Sequence, residues 1–489
     1  RNFRSFWKNG MRPHIILRYI GFVLLFNAIF LFFSAVISAF NSDSSFFPLL
    51  YSSVISALFG AFPLIFVPST TKISNKEGFI IVISSWLLSC LVGCIPYILW
   101  GGEFSFVNAW FESVSGFTTT GSTILTNVEA LPRGLLFWRS STHWIGGMGI
   151  IIFVLSVLPS IGSARMVLYR AEMSSLAMDN FHYRTHKTLH ILVTIYVGMT
   201  FLETILLLFC GMNLFDAITH SFATIATGGF SPKNLSVAYY KSFTVEIVVM
   251  IFMILSGIHF GLLFLCISGN FGEIRKSSIV RYYILALMIG TVLTAISLHG
   301  NLFEGWLEAL RYSAFQIISL GTSTGFATAD SSIWPISAKI LMIFFTLQCA
   351  CAGSTSGGIK ADRLVIFWKA IKKRLVKIQQ PNAVVTVKVN KVNVSDDAVE
   401  MCLIFIIFYL AVVSVSTLIL SALGVDGLTA LSGSAATMGN VGPGFGTVGS
   451  LSNYSTIPEI GKWIFTADML LGRLEIFAFI MFFMPSSWR

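Results

Sequence analysis

Residues 108–122 read NAWFESVSGFTTTGS, an apolar run of about ten residues that closes on a Thr/Gly-rich turn. Such a run is too short to cross a hydrocarbon core about 30 Å thick, yet it is more apolar than an exposed loop. A re-entrant half-helix reconciles the two, because broken backbone is tolerated at membrane depth where protein or a wet cavity encloses it. Three further segments share the form: FDAITHSFATIATGGFSP (215–232), WLEALRYSAFQIISLGTSTGFATAD (306–330) and VDGLTALSGSAATMGNVGPGFG (425–446). Aligned on the first glycine after each half-helix they give Gly121, Gly228, Gly325 and Gly442, separated by 107, 97 and 117 residues. A second glycine falls in each following helix, at Gly146, Gly257, Gly353 and Gly472. The period is one unit of helix, half-helix and helix. Four copies of a unit that cannot bury its own polar backbone imply assembly round a shared axis.

Composition agrees. The 489 residues are 55% apolar and 11% charged, with a mean hydropathy of +0.80, which excludes an ordinary water-soluble domain. Apolar periodicity predicts spanning helices near 17–40, 47–68, 79–100, 137–159, 189–212, 243–268, 282–300, 336–370 with an interruption, 399–423 and 460–484. The expected fold is an all-α integral membrane protein, with ten transmembrane helices and four re-entrant pore helices in pseudo-fourfold arrangement. Residues 1–78 form an N-terminal helix pair outside the repeat, and the repeats cover 79–165, 186–270, 281–375 and 396–489. The first apolar stretch lacks a small-residue cleavage site before Asn41 and reads as a retained helix rather than a signal peptide.

Charge gives the orientation. The termini and even-numbered loops hold 24 of the 32 Lys and Arg, which places both termini in the cytoplasm by the positive-inside rule. The opposite face carries seven basic and eleven acidic residues, a mild preference for cations. Topology therefore accounts for the pI of 9.3 without nucleic acid.

A dehydrated cation needs several oxygens at close range, and four short loops can supply them as a ring of backbone carbonyls. The residues before each glycine would carry these: Thr119 and Thr120 before Gly121, Ala226 and Thr227 before Gly228, Ser323 and Thr324 before Gly325, Asn440 and Val441 before Gly442. Each half-helix would aim the negative end of its dipole at the ion. Flexible extracellular turns favour the same residue types, but four at matched positions argue for a filter.

At GFTTTG (116–121), ATGGFSP (226–232), STGF (323–326), AGSTSGGIK (352–360) and GNVGPGFG (439–446) the chain resembles the TrkH type of the Trk/Ktr/HKT potassium transporter superfamily. The resemblance runs from the N-terminal helix pair to Arg489. It implies a pseudo-fourfold potassium pore with one filter glycine per repeat. Sodium-favouring relatives often carry serine at the first, so Gly121 points to potassium. It further implies a homodimer in a bacterial inner membrane, served by a cytoplasmic ring of nucleotide-binding RCK-type subunits, with no cofactor on this chain.

The eighth span is broken by GSTSGGIK, Gly353, Ser354, Thr355, Ser356, Gly357, Gly358 and Lys360 among its residues. It is either a passive kink for close packing or a gate below the pore, and the resemblance matches it to the family's intramembrane gating loop. Arg473, the one basic residue deep in a span, is a functional candidate by position. It reads either as an electrostatic barrier, its match in the family, or as the partner of Asp468, Glu475 or Glu203. Glu203 and Asp468 stand equally as coupling groups or structural partners. The basic segment 360–391 suits anionic lipid headgroups or a regulatory subunit.

His143, His220 and His259 share no ligand spacing, and the seven cysteines sit mainly in apolar helices as packing residues. GFGTVG (444–449) satisfies a dinucleotide pattern literally but follows no strand. A membrane enzyme would show converging His, Asp or Ser groups, and none is read here. The competing transport readings are a secondary transporter of another small solute and a sodium-coupled symporter.

Overall fold

The computed structural model describes residues 12–68, 75–157, 185–390 and 392–474. The expectations for Lys72, the loop residues 165–184, Glu475 and the end of the last span lie outside them. The molecule is mostly helical. α1 (Pro13–Phe40) and α2 (Phe46–Phe66) form the N-terminal pair. The order long helix, short helix, long helix then recurs four times: α3 (Asn75–Trp100), α4 (Phe106–Phe117), α5 (Arg133–Val157); α6 (Thr185–Phe209), α7 (Leu214–Ile225), α8 (Phe243–Ser256) with α9 (Phe260–Ile267); α10 (Gly272–Lys276), a linker, then α11 (Ser278–Leu298), α12 (Trp306–Gly321), α13 (Ile336–Leu347) with α14 (Ala361–Gln379); and α15 (Asp396–Ala422), α16 (Gly427–Met438), α17 (Glu459–Arg473).

Among the described residues six helices are long and apolar enough to cross a membrane, and the pair α8 and α9, bent by 108° at its break, makes a seventh if it is one span. Two features depart from expectation. The sixth predicted span is two helices rather than one, and a small hairpin of β1 (Val387–Val389) and β2 (Val392–Val394) interrupts the all-α pattern. Its turn is held where Asn390, at φ +48°, accepts hydrogen bonds from the Ser278 backbone N–H and hydroxyl at 2.7 and 2.8 Å.

Large apolar side chains on the outer faces of the long helices stay exposed, Phe62, Phe201 and Ile407 among them, as they must where the solvent is lipid. Packing between helices therefore relies on close approach. A Cβ on Gly21 would strike the Gly60 carbonyl and one on Gly60 the Gly21 carbonyl, so α1 and α2 meet backbone to backbone. Ser53 and Ser56 then donate across the pair to the carbonyls of Ala28 and Leu24, at 2.9 and 2.7 Å.

Asp43, in the α1–α2 connection, ties this pair to the first repeat. Its carboxylate accepts from the Ser38 and Ser45 hydroxyls, the Ser45 N–H and, at 3.1 Å, the Gly134 N–H that opens α5. Burial opposes its charge, but these donors outweigh burial and hold the carboxyl below its ordinary range. Because the folded-state value lies below the unfolded one, its stabilisation is complete at neutral pH and is lost as pH falls through that lowered value. Asp43→Asn should cost about 1–2 kcal/mol, allowing for partial solvent screening. Melting in detergent at neutral pH should show the loss, and the gap to the native chain should close in acid.

Candidate functional site

The four short helices are buried along most of their length and start from caps chosen by sequence: Ser105, Asn213 and Asp426 accept from the first-turn N–H groups of α4, α7 and α16. Their ends are alike to within 0.1–0.2 Å. The N–H of Thr120, Gly228, Thr324 and Val441 reaches back to the carbonyl of Ser115, Ala223, Ser319 and Ala436 at 2.8–2.9 Å. One residue earlier, Thr119, Thr227, Ser323 and Asn440 donate to Gly116, Thr224, Leu320 and Thr437 at 2.9–3.1 Å. This is a Schellman closure repeated four times, with the left-handed position filled by Thr, Thr, Ser and Asn at φ 52–55° rather than by glycine. Residues with a Cβ in that region store strain of about 1–3 kcal/mol each, typical of functional backbone.

Two residues after each strained position stands a glycine with positive φ: Gly121 at +82°, Gly229 at +80°, Gly325 at +81° and Gly442 at +99°. The second repeat is thus offset by one from the sequence alignment. Thr227, Gly228 and Gly229, and not Ala226, Thr227 and Gly228, occupy the places of Thr119, Thr120 and Gly121. Ala226 instead caps the end of α7.

These four glycines interlock in a ring. A Cβ on Gly121 would strike the Gly228 carbonyl oxygen, on Gly229 that of Thr324, on Gly325 that of Val441, and on Gly442 that of Thr120, each well inside the 3.0 Å floor of real Cβ contacts. Each loop therefore rests its glycine on the carbonyl of the next, and the fourth closes on the first. Hydroxyl and amide groups brace the ring from behind. Asn440 Nδ2 donates to Thr120 Oγ1 at 3.0 Å and to the Met469 carbonyl at 2.9 Å, and the Tyr454 hydroxyl donates to the Gly442 carbonyl at 2.7 Å.

The helical break in the third repeat is longer than its glycines indicate, running from Gln348 to Lys360. Its neck is closed where Cys349 N–H donates to the Ile359 carbonyl and Ala361 N–H to that of Ala350, at 2.9 and 3.0 Å. Its tip lies against the ring. The Thr355 hydroxyl donates to the Ile225 carbonyl at 3.0 Å and Gly357 N–H to the Ser323 hydroxyl at 3.2 Å, while a Cβ on Gly357 would meet the side chain of Asn440. Gly353 and Gly358 turn the chain at φ +74° and +68°, Ser354 and Ser356 pair at 3.1 Å, and Lys360, just before α14, is buried.

Arg473 is buried beneath this tip. Its guanidinium donates to the Thr355 carbonyl at 2.5 Å and to the Gly146 carbonyl of α5 at 3.2 Å. Among the described residues it forms no ion pair with Asp468 or Glu203, and the Asp468 carboxylate accepts instead from Ser416 at 2.8 Å. The tip and Arg473 together touch all four repeats.

A family model for TrkH, a cation transport protein, matches residues 50–489. The chain belongs to the TrkH family. The Trk system potassium uptake protein TrkH of Salmonella typhimurium is 36% identical over 422 residues, covering 86% of this chain and 87% of that one. The protein of the same name from Halomonas elongata is 32% identical over 485 residues, covering 98% of this chain and 100% of that one. The crystal structure of the potassium transporter TrkH from Vibrio parahaemolyticus superposes with a TM-score of 0.89 at 29% identity, covering 98% of this chain and 100% of that chain.

Two further features of this TrkH-family chain had no sequence warning strong enough to read. Hydropathy runs unbroken through SGIHFG (256–261), hiding the bend between α8 and α9. That bend and the break after α13 satisfy one another: Cys351 N–H donates to the Gly257 carbonyl at 3.0 Å and Phe260 N–H to the Gly353 carbonyl at 3.3 Å. His259 sits at this joint, against Gly353. Beside the ring lies a cavity of about 70 Å³, bordered by Gly121, Gly229, Gly325 and Gly442. It is lined by two basic side chains, Arg139 and Lys233, and by no acidic one among the described residues.

Proposed function

We propose that this chain takes up potassium across a membrane through a pore on the axis of the four-loop ring, where carbonyls of Thr119, Thr120, Thr227, Gly228, Ser323, Thr324, Asn440 and Val441 replace the water around the ion. The observation that carries the proposal is the cyclic contact of each ring glycine with the next loop's carbonyl. It gives four equivalent carbonyl positions around one axis, in a family whose relatives are named for potassium uptake. The C-terminal ends of α4, α7, α12 and α16 add a partial negative charge that favours cations. Potassium is the cargo, no cofactor is required on this chain, and transport rather than catalysis is its work.

The reading includes ten spans, four re-entrant pore helices and the repeat boundaries 79–165, 186–270, 281–375 and 396–489, supported by the recurring helix order and by the apolar helices. In this reading the segment Gln348–Lys360 closes the pathway on one side of the ring and Arg473 places a positive charge beside it. Inward flow is driven by the membrane potential, about 2.3 kcal/mol per elementary charge per 100 mV. Both termini in the cytoplasm, a bacterial inner membrane, a homodimer and an RCK-type regulatory ring complete the proposal, supported by the basic loops and by the family.

The test is rubidium-86 uptake into proteoliposomes holding the native chain or Gly121→Ser, challenged with excess potassium or sodium. At φ +82° against the Gly228 carbonyl, a serine must displace a coordinating oxygen. Native uptake should be blocked by potassium, and in the variant sodium should compete better by about tenfold, roughly 1.4 kcal/mol of lost discrimination. Uptake indifferent to potassium would refute the proposal, as would specific binding of an amino acid or sugar in place of monovalent cations.

A further inference from the structure

Two cations line the cavity beside a ring read here as a cation pathway, and each has a carboxylate behind it. Arg139, on α5, donates to Glu112 of α4 at 2.6 Å, both side chains being buried, and to the Ser231 carbonyl at 3.0 Å, with its guanidinium 3.5 Å from the Phe230 ring centre. Glu112 also accepts from the Thr123 hydroxyl at 2.9 Å and the Ile124 N–H at 3.0 Å. Lys233 lies 3.7 Å from Asp216 of α7, whose carboxylate accepts from the Tyr240 hydroxyl at 2.6 Å.

Comparison among the repeats separates charge from scaffolding. Glu112 stands nine residues before its ring glycine, and the same place holds His220, Gln316 and Gly433. His220 bonds the Ser231 hydroxyl at 3.0 Å and Gln316 the Ala329 carbonyl at 2.9 Å, so each ties its short helix to the chain leaving the ring without a carboxylate. At Gly433 the room is taken by Phe465, which lies seven residues before Gly472 as Arg139 lies seven before Gly146. The place filled by an ion pair in the first repeat thus holds a phenyl ring in the fourth. Bracing a loop at this position does not require charge, and the carboxylate in the first repeat answers to Arg139.

We propose that Glu112 and Asp216 neutralise Arg139 and Lys233 at the mouth of the pathway, so that two ion pairs, both on the side of the first two repeats, set the field a cation meets on entry. This rests on the pore reading above. A mouth cation repels the arriving ion by Coulomb's law, and a carboxylate at ion-pair distance turns that charge into a short-range dipole. Glu112 is accordingly a positioning and field-setting residue that does not touch the ion.

The experiment measures rubidium-86 uptake by proteoliposomes of the full chain against potassium concentration, at low and high ionic strength. Glu112→Gln and Asp216→Asn should each raise the half-saturating potassium concentration about three- to tenfold, the size of one uncompensated charge within a Debye length of the ion. The rise should shrink in high salt and leave the maximal rate within about twofold. Glu112→Gln combined with Arg139→Gln should return to near the native value. Lys233→Gln, at a partly exposed site that endangers folding least, should lower the half-saturating concentration. Equal loss of maximal rate in the single and double variants, with no effect of salt or of Lys233→Gln, would overturn the proposal while sparing the pore. Absence of uptake by the native chain, with or without a regulatory partner, would overturn both.

Discussion

Gly229→Ala should abolish at least about 90% of potassium-competed rubidium uptake, and removal of no neighbouring side chain should restore it. Alanine at φ +80° costs about 1–2 kcal/mol in backbone strain, and its methyl group meets the Thr324 carbonyl oxygen. That oxygen belongs to the ring itself, so relief of the clash means moving a carbonyl of the ring. Gly228→Ala offers the contrast. Its φ is not positive, and its methyl group would strike the ring of His143, which stacks on Phe230 with centroids 4.1 Å apart. A second substitution, His143→Ala, should therefore recover part of the Gly228→Ala loss but none of the Gly229→Ala loss. Gly305→Ala, with nothing within 4 Å of the added carbon, should behave as native. Recovery of Gly229→Ala by His143→Ala would place the second loop in the other register.

Arg473→Gln should raise the uptake rate by about tenfold or more in vesicles lacking any regulator. The arginine holds the tip of the 348–360 segment through the Thr355 carbonyl and puts a full positive charge beneath the ring. Glutamine keeps one donor but removes the charge, and in a site of low effective dielectric a unit charge within several ångströms of the ion contributes about 2 kcal/mol or more. Arg473→Lys, which retains charge but loses the two-pronged reach to Thr355 and Gly146, should stay near the native rate if charge dominates. A drop in rate for Gln, with folding intact by melting, would assign the residue to scaffolding instead.

The repeat and its four half-helices were legible because their signals are local: an apolar run of sub-spanning length, then Thr and Gly at one offset. The register of the second loop was not, because Gly228 and Gly229 are adjacent and composition cannot say which has positive φ. The left-handed Thr227, hydrogen bonded to Thr224, decides it. The second set of landmark glycines proved of two kinds. Gly146 and Gly472 pack against the carbonyls of Phe117 and Met438 at matching places on α4 and α16, whereas Gly257 faces Tyr283 and Ala350, and Gly353 turns the broken segment. The Glu112–Arg139 pair, 27 residues apart, depends on how two helices meet and leaves no mark in either one.

The joint at which α8–α9 and α13–α14 exchange backbone hydrogen bonds has a thermodynamic consequence. Withdrawing the tip would release those two bonds together with the ones from Thr355 to Ile225, from Gly357 to Ser323 and from Arg473 to the Thr355 carbonyl. At about 1 kcal/mol net for each neutral bond and more for the charged one, the resting withdrawn fraction would be at most on the order of one molecule in a thousand. With the segment closing the pathway as proposed, a protein so poised would leak little on its own. Any effector that opens it must bind the withdrawn form about a thousandfold more tightly than the closed one, and that ratio, rather than the tightness of binding, is what selection on such an effector would act upon.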